Sequence, residues 1–304
     1  MVFMDPQHKL LWHGSRVENW LSGKNVAPIL VEISPVGYCN ASCPWCFFKD
    51  QHTDKRISTS TMLRTLQELA DIGVKAINWT GGGEPTLHPS FDIFTHHAHK
   101  YGLKQGLFTN AYLHINNTEL FDWIRISLTD KEYGPIHTPN GFFGICVNML
   151  ESTTENQLRR WCVSARNIGA GYFQVRPALT TGPSKQPKLT PPYYLREYNT
   201  DSFKALFTEY KFHEATSPRT YDKCYGYNLC PSIDWNGNLG VCMYRMQESK
   251  YIIGSLESNT FGNLWENKKV SDDLVDGSCQ VCCKNHEINK VLFSAKQLKH
   301  INFI

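Results

Sequence analysis

Three cysteines lie in the stretch Cys39-Asn40-Ala41-Ser42-Cys43-Pro44-Trp45-Cys46, shortly after the largely apolar residues 29–33, at the spacing C-x3-C-x2-C. Three thiolates in so short a loop can all point at one centre, and soft thiolate ligands select iron–sulfur clusters, zinc or copper(I). A purely structural zinc or cluster site takes four protein ligands. The loop therefore indicates either a metal centre with one position open to chemistry or a zinc knuckle that borrows a distant fourth ligand.

The composition indicates a globular protein with one large domain or two modest ones. The chain has 304 residues, of which 41% are hydrophobic and 19% charged, and its net charge is only +3. The small charge and the lack of a dense Lys/Arg run do not favour a nucleic-acid partner. The sequence predicts neither a signal peptide nor a membrane span, so we expect a soluble cytoplasmic protein without a membrane partner. In that compartment the eleven cysteines are expected to be metal ligands rather than disulfides.

Short apolar runs alternate with helical patterns from residue 29 onward. Strands are predicted over residues 30–33, 76–79, 103–109, 123–128, 143–149 and 172–176. Helices are predicted over residues 59–72, 91–101 and 155–168, with Ser58 as an N-cap and Gly169 as a C-cap. This alternation predicts an α/β fold with a parallel sheet, in which functional groups gather at the carboxyl ends of the strands.

The cysteine motif resembles the cluster motif of the radical S-adenosylmethionine (SAM) enzymes, which also have an aromatic residue before the third cysteine. The resemblance implies a partial (β/α)6 barrel in which Cys39, Cys43 and Cys46 hold a 4Fe-4S cluster. It also implies that the open iron binds the amino and carboxylate groups of SAM, and that Trp45 lies near the adenine.

Polar residues follow several predicted strands. The run Thr80-Gly81-Gly82-Gly83-Glu84-Pro85 is by itself explained by a tight turn, but its glycines also allow close approach of a ligand to the backbone. It resembles the GGEP motif of the family, which implies that Gly82, Gly83 and Glu84 hold the SAM amino group. Further SAM contacts implied by position are Asn110, Ser127, Asn148 and Arg176. A capped turn or an ordinary hydrogen bond is the alternative for each, and Thr129 stands where the family often has Asp.

The C-terminal third holds six of the eleven cysteines. Residues 232–241 alternate as a hairpin with an Asn-Gly turn, which predicts that Cys224 and Cys242 approach one another. The pair Cys279 and Cys282 has the C-x2-C spacing of metal knuckles. These four thiolates form a closed site that either zinc or a 4Fe-4S cluster fits.

The pattern C-x12-G-x4-C, the run Phe261-Gly262-Asn263-Leu264-Trp265 and the final C-x2-C resemble the SPASM region, or its shortened form Twitch. The resemblance implies one auxiliary 4Fe-4S cluster on Cys224, Cys242, Cys279 and Cys282. Cys230 or Cys283 is an alternative ligand, whereas Cys146 and Cys162 are predicted to be buried apolar residues.

Four segments are therefore predicted. They are an N-terminal extension over residues 1–28, the barrel over 29–177, a proline-rich linker with a connecting helix (residues 203–210) over 178–222, and a small auxiliary-cluster domain over 223–304.

The resemblance implies an oxidoreductase that cleaves SAM reductively and abstracts hydrogen from a substrate C–H bond. The favoured interpretation is a two-electron dehydrogenase of a small sugar-like or aminocyclitol-like molecule. The alternatives are a maturase that cross-links or epimerises a ribosomal peptide, and a non-catalytic iron–sulfur module. A flavodoxin or ferredoxin is the expected electron donor. The residues expected on the substrate side are Arg176, Tyr193, Tyr194, Tyr225 and Tyr227.

Overall fold

The computed structural model describes residues 6–129, 141–179, 188–214, 217–246, 248–270 and 285–302. Within these ranges ten strands form one sheet, in the order β10-β9-β8-β1-β2-β3-β4-β5-β6-β7. Among the same residues, no helix has the length and apolar character that a membrane span requires.

The predicted parallel strands form, in chain order, the centre of this sheet. They are β1 (Leu30–Ile33), β2 (Ala76–Trp79), β3 (Lys104–Thr109), β4 (Trp123–Ser127), β5 (Phe143–Met149) and β6 (Tyr172–Pro177). Each pairs with the next in parallel register, for example Ile33 with Trp79 and Ser127 with Cys146. Because neighbouring strands run the same way, their carboxyl ends all reach one edge.

The helices are α1 (Pro6–Leu11), α2 (Gly14–Leu21), α3 (Thr59–Asp71), α4 (Phe91–Lys100), α5 (Glu155–Asn167), α6 (Glu209–His213), α7 (Phe261–Glu266) and α8 (His286–Gln297). The three predicted helices are confirmed as α3, α4 and α5. Ser58 caps α3, because its side chain accepts a hydrogen bond from the Thr61 N–H. Gly169 follows α5 with a φ of +86°, a left-handed conformation that favours glycine.

Alternate residues of the strands face the helices and form the main core. Val31, Ile77 and Leu107 belong to this core, together with Met62 and Leu66 of α3. The side chains between them point to the other face of the sheet, as the two-residue period of a strand requires. That face is concave and lines a cavity.

The predicted connecting helix over residues 203–210 is wrong. Lys204–Phe207 is a strand, β7, which pairs in parallel with β6, and α6 begins only at Glu209. A short apolar run fits a helix or a strand equally well by periodicity. The free edge of β6 favours the strand, because it offers backbone hydrogen-bond partners. The Lys204 N–H donates to the Gly171 carbonyl, and the Thr208 N–H donates to the Val175 carbonyl. The sheet therefore extends into the segment assigned to the linker.

The predicted C-terminal hairpin is present and joins the same sheet. Its strands β8 (Ser232–Ile233) and β9 (Asn238–Gly240) are antiparallel, and Gly237 in the turn has a φ of +73°. β8 pairs in parallel with β1, and β10 (Ile252–Ser255) adds to β9. The hairpin thus covers the edge of β1, the strand that leads into the cysteine loop.

Candidate functional site

The three-cysteine loop begins six residues after β1, and its cysteines are all half-buried. The Ala41 N–H donates to Cys39 Sγ at 3.4 Å, and the Phe48 N–H donates to Cys46 Sγ at the same distance. Burial raises the pKa of both thiols, while these N–H donors act against the increase. Backbone donors aimed at two sulfurs of one short loop fit a shared metal centre.

Gly82 gives the loop after β2 close contact with the C-terminal hairpin. Its N–H donates to the buried Ser34 hydroxyl at 2.7 Å, which ties the loop to the end of β1. A Cβ atom on Gly82 would lie 1.9 Å from the ring of Trp235, which is itself 1% exposed. The ring leaves no room for any other residue here.

Gly83 packs against the backbone that leads into the cysteine loop. A Cβ atom there would lie 1.9 Å from the carbonyl oxygen of Tyr38, the residue before Cys39. The same carbonyl accepts a hydrogen bond of 2.9 Å from the Glu84 N–H. The glycine loop and the cysteine loop are therefore hydrogen-bonded to each other, and they follow the adjacent strands β2 and β1.

The Glu84 carboxylate joins the carboxyl ends of β2 and β3. It is 3% exposed; its Oε1 accepts from the Thr109 hydroxyl at 2.7 Å and from the Thr86 hydroxyl at 2.8 Å. Its Oε2 accepts from the Asn110 N–H at 2.8 Å. Burial raises the pKa of Glu84, and these hydrogen bonds oppose the increase. Oε2 accepts one hydrogen bond here and can accept a second, as a ligand ammonium would require.

Asn110 extends this network to the cysteine loop. Its Nδ2 donates to Asn40 Oδ1 at 2.7 Å and lies 3.8 Å from Cys39 Sγ, while its Oδ1 accepts from the Tyr112 N–H. The geometry thus links Glu84, Asn110 and Cys39 in one continuous set of contacts.

The remaining sequence-predicted SAM residues lie along the same edge of the sheet. Ser127 ends β4, and the Thr129 hydroxyl beyond it is hydrogen-bonded to the Tyr112 hydroxyl. Asn148 of β5 accepts a 2.8 Å hydrogen bond from Nε of Arg176 on β6. Trp45 is half-buried within the cysteine loop. Ser127, Asn148 and Arg176 are at the expected strand ends, and contact of all four residues with SAM remains a prediction.

The predicted auxiliary-cluster site lies only partly within the described residues. Cys224 and Cys242 both pack against the pair Val241 and Tyr251, so the hairpin brings them to one region. Cys279, Cys282 and Cys283 lie outside the described ranges, whereas Cys230 is buried. Cys146 and Cys162 are buried in the sheet and in α5, as predicted.

A small aromatic and methionine cluster, missed by sequence reasoning, connects the cysteine loop to the C-terminal segment. Phe48 stacks on Tyr244 and meets Trp235 edge to face, with ring centroids 5.7 and 6.0 Å apart. Met243 and Met246 complete the cluster, and Cys46 packs against it. The only sequence signal for it is an apolar tryptophan inside a turn of Asp, Asn and Gly.

A cavity of about 800 Å³ lies on the concave face of the sheet and extends to the strand ends. Thr80, Gly81, Arg176 and Tyr244 are among the residues that line it. This size fits a substrate pocket.

Four of the residues expected on the substrate side do not line this cavity. Tyr193 packs against Phe207, and Tyr194 lies under Arg159. Tyr225 packs against Trp20, and Tyr227 belongs to the core. The tyrosines of the cavity wall are instead Tyr172, Tyr210 and Tyr244. Arg176, which was predicted from its position at a strand end, does line the cavity. Strand-end position therefore identifies pocket residues better than aromatic character does.

Comparison with known proteins gives a family match over the first part of the barrel. Residues 33–130 match the model of the radical SAM superfamily. This match confirms the resemblance seen in the cysteine motif, together with the SAM and 4Fe-4S cofactors that it implies.

Two curated relatives match a shorter segment. An 88-residue stretch is 32% identical to the PqqA peptide cyclase of Bradyrhizobium diazoefficiens and 33% identical to that of Rhodopseudomonas palustris. In each case the stretch covers 28% of this chain and 23% of the relative. The chain therefore aligns with less than a quarter of the length of these relatives.

Among solved structures, Streptococcus suis SuiB bound to the precursor peptide SuiA is similar in fold. The TM-score is 0.62 at 16% identity, over 92% of this chain and 76% of SuiB. The likeness confirms the partial barrel and indicates nothing beyond the fold.

We expect Gly82→Ala to destabilise the protein by about 1–3 kcal/mol, because the new methyl group would overlap the buried Trp235 ring. Gly262→Ala is the matched control, since a Cβ atom there meets nothing within 4 Å. Urea unfolding of the two purified variants measures the difference. Equal unfolding midpoints would contradict the close approach of the hairpin to the glycine loop.

We expect Glu84→Ala to lower stability by about 3 kcal/mol or more, because it leaves the Asn110 N–H and the Thr109 hydroxyl as buried donors without acceptors. It should also weaken SAM binding at least about tenfold, through loss of a charge-assisted contact. Unfolding and equilibrium binding test the two effects separately, with the exposed Glu119→Ala as control. Unchanged SAM affinity would move the amino-group site away from Glu84.

Proposed function

We propose that this chain, a radical SAM enzyme by the domain it carries over residues 33–130, modifies a peptide substrate by forming an internal cross-link. The observation that carries the choice of substrate is that both curated relatives are PqqA peptide cyclases. It favours the peptide alternative over the sugar-like dehydrogenase substrate that the sequence alone suggested. The cavity at the strand ends supports the proposal, because it offers room for substrate side chains beside the cysteine loop.

The residues of the cysteine loop fit the first cluster. Cys39, Cys43 and Cys46 would hold it, since they supply three soft donors with backbone N–H groups already aimed at two of the sulfurs. When bound, the cluster supplies the electron that cleaves SAM to methionine and a 5′-deoxyadenosyl radical. An external donor such as flavodoxin or ferredoxin would supply that electron in turn.

The chain's own residues would bind and orient SAM beside the cluster. Glu84 would receive the SAM ammonium at Oε2, while Thr86, Thr109 and Asn110 fix the position of the carboxylate. Trp235 and the Tyr38 carbonyl fill the side of Gly82 and Gly83 on which a Cβ atom would lie, so only the backbone groups of the two glycines would face the SAM amino group. Trp45 would lie near the adenine, and the contacts to the ribose and carboxylate would come from Asn110, Ser127, Asn148 and Arg176. The concave face of the sheet would exclude water from the reacting C–H bond.

A second cluster on Cys224, Cys242, Cys279 and Cys282 is part of the proposal. Asn289 of α8 supports it, since its Nδ2 lies 3.6 Å from Cys224 Sγ as a donor and its Oδ1 accepts from the Gly226 N–H at 2.6 Å. A cluster closed by four thiolates supplies one-electron transfer and no open metal position. Cross-linking needs such an outlet, because joining two atoms of a peptide removes two hydrogen atoms from it. The 5′-deoxyadenosyl radical would take one of them whole, and the other would leave as a proton and one electron.

Iron content tests the two cysteine sets. Anaerobic reconstitution should give about eight irons per chain, and replacing Cys39, Cys43 and Cys46 together with Ala should remove about half. Cys162→Ala is the control, because burial raises the pKa of Cys162 to about 12 and keeps it a thiol. Full iron retention in the triple variant would show the first set to be misassigned, and zinc in the wild-type protein would make the second set structural.

The reaction itself is tested with candidate precursor peptides, taken from any short reading frames near this gene, together with SAM and a reductant. The expected product is two hydrogens lighter and cross-linked within the peptide, with one 5′-deoxyadenosine formed per cross-link and none in the triple cysteine variant. Tandem mass spectrometry locates the link. An unchanged peptide, alongside a sugar-like alcohol that does lose two hydrogens, would restore the dehydrogenase interpretation.

A further inference from the structure

Arg125 lies within the cavity, below the strand ends. It precedes Ser127 by two residues on β4, so both side chains share the concave face, and Arg125 sits about 7 Å deeper along the strand. Its register neighbours are Phe108 on β3 and Gly144 on β5. The absence of a side chain at Gly144 leaves this part of the wall to Arg125 and to the Tyr172 ring, which lies over the glycine.

The Arg125 guanidinium is held in place without being neutralised. Its central carbon lies 3.8 Å from the centroid of the Phe108 ring, a stacked cation–π position. Its Nε is buried, and within the described ranges it has no hydrogen-bond acceptor. No carboxylate of the described residues forms an ion pair with it. Buried charges are normally paired, so a half-buried arginine on a cavity wall without a carboxylate beside it is available to an anionic ligand.

The groups around Arg125 add positive charge and no carboxylate. Burial lowers the pKa of Arg125 and the nearby Arg176 lowers it further, while the other large electrostatic influences come from Cys146, Tyr172 and Tyr244. None of these is a carboxylate. Because a guanidinium keeps its proton in proteins, the cavity retains a positive charge at this point.

Three of the carboxylates that line the cavity, Glu209, Glu214 and Glu287, have cations beside them. Glu214 lies 3.1 Å from the Lys290 ammonium, and Glu209 lies 3.5 Å from the Arg196 guanidinium. Glu287 lies 3.6 Å from the same Lys290 ammonium. None of these three carboxylates forms an ion pair with Arg125.

We propose that Arg125 binds a carboxylate group of the substrate inside the cavity and thereby selects peptides that present one. This inference rests on the proposed peptide-modifying function and specifies its substrate. The planar fork of Arg125 suits a carboxylate with two parallel hydrogen bonds, and the Phe108 ring packs against the guanidinium. The carboxylate belongs either to an acidic side chain or to a peptide C-terminus.

Binding of three capped amino acids to the reconstituted, SAM-loaded protein tests the proposal without requiring turnover. N-acetyl-L-glutamate α-methylamide carries only a side-chain carboxylate, N-acetyl-L-glutamine only a C-terminal one, and N-acetyl-L-glutamine methylamide carries neither. Ligand-observed NMR under anaerobic conditions gives their affinities for the wild-type protein and for Arg125→Met and Arg125→Lys. Arg166→Met is the control, because Arg166 is an exposed arginine of α5.

At least one of the two anions should bind the wild-type protein about tenfold tighter than the neutral compound, as charge-assisted hydrogen bonds require. The tighter anion identifies the source of the carboxylate. Arg125→Met should abolish the preference, Arg125→Lys should keep part of it, and Arg166→Met should keep all of it. SAM affinity should be the same in all four proteins.

Equal binding of the three compounds to the wild-type protein would overturn the proposal, and this comparison does not depend on any variant folding. A preference that survives in Arg125→Met would overturn it as well. Loss of SAM binding in Arg125→Met would assign the arginine to SAM instead. Failure of the peptide function would appear separately, as an unchanged precursor peptide in the turnover assay.

Discussion

The buried carboxylate of Glu84 is the contact on which the site depends. It accepts hydrogen bonds from Thr86, Thr109 and Asn110, and so fixes the ends of β2 and β3 relative to one another. The Asn110 side chain in turn contacts Asn40 and Cys39, the first cysteine of the loop. A buried carboxylate without these donors would be costly, and donors without the carboxylate would be orphaned. The glycines beside it have no space for side chains, because the Trp235 ring and the Tyr38 carbonyl fill that space.

The C-terminal hairpin supports the same site from the other side. β8 pairs with β1, and the turn of the hairpin inserts Trp235 against Gly82 and Phe48. The cluster of Phe48, Trp235 and Tyr244 puts apolar rings between the cysteine loop and the segment that holds Cys224 and Cys242. A displacement of either segment should therefore shift the other, because closely packed rings transmit small movements.

Much of this arrangement could be predicted from the sequence, because its signals are local. The strand runs, the Ser58 cap, the Asn-Gly hairpin and the cysteine spacing each depend on neighbours in the chain. β7 could not be predicted, because its strand form depends on the open edge of β6 far away in sequence. The roles of Trp235 and Arg125 were missed for the same reason: a turn residue and a strand arginine acquire meaning only when the hairpin and the concave face are assembled.

The central claim is that the cysteine loop and the glycine loop hold one cluster and one SAM molecule in contact. Electron paramagnetic resonance of the reduced protein, with and without SAM, tests it most directly in a variant that keeps only the first cysteine set. SAM bound to the cluster should change the g values of the signal, and Asn110→Ala should need a much higher SAM concentration for the same change. An identical spectrum at saturating SAM would contradict the account.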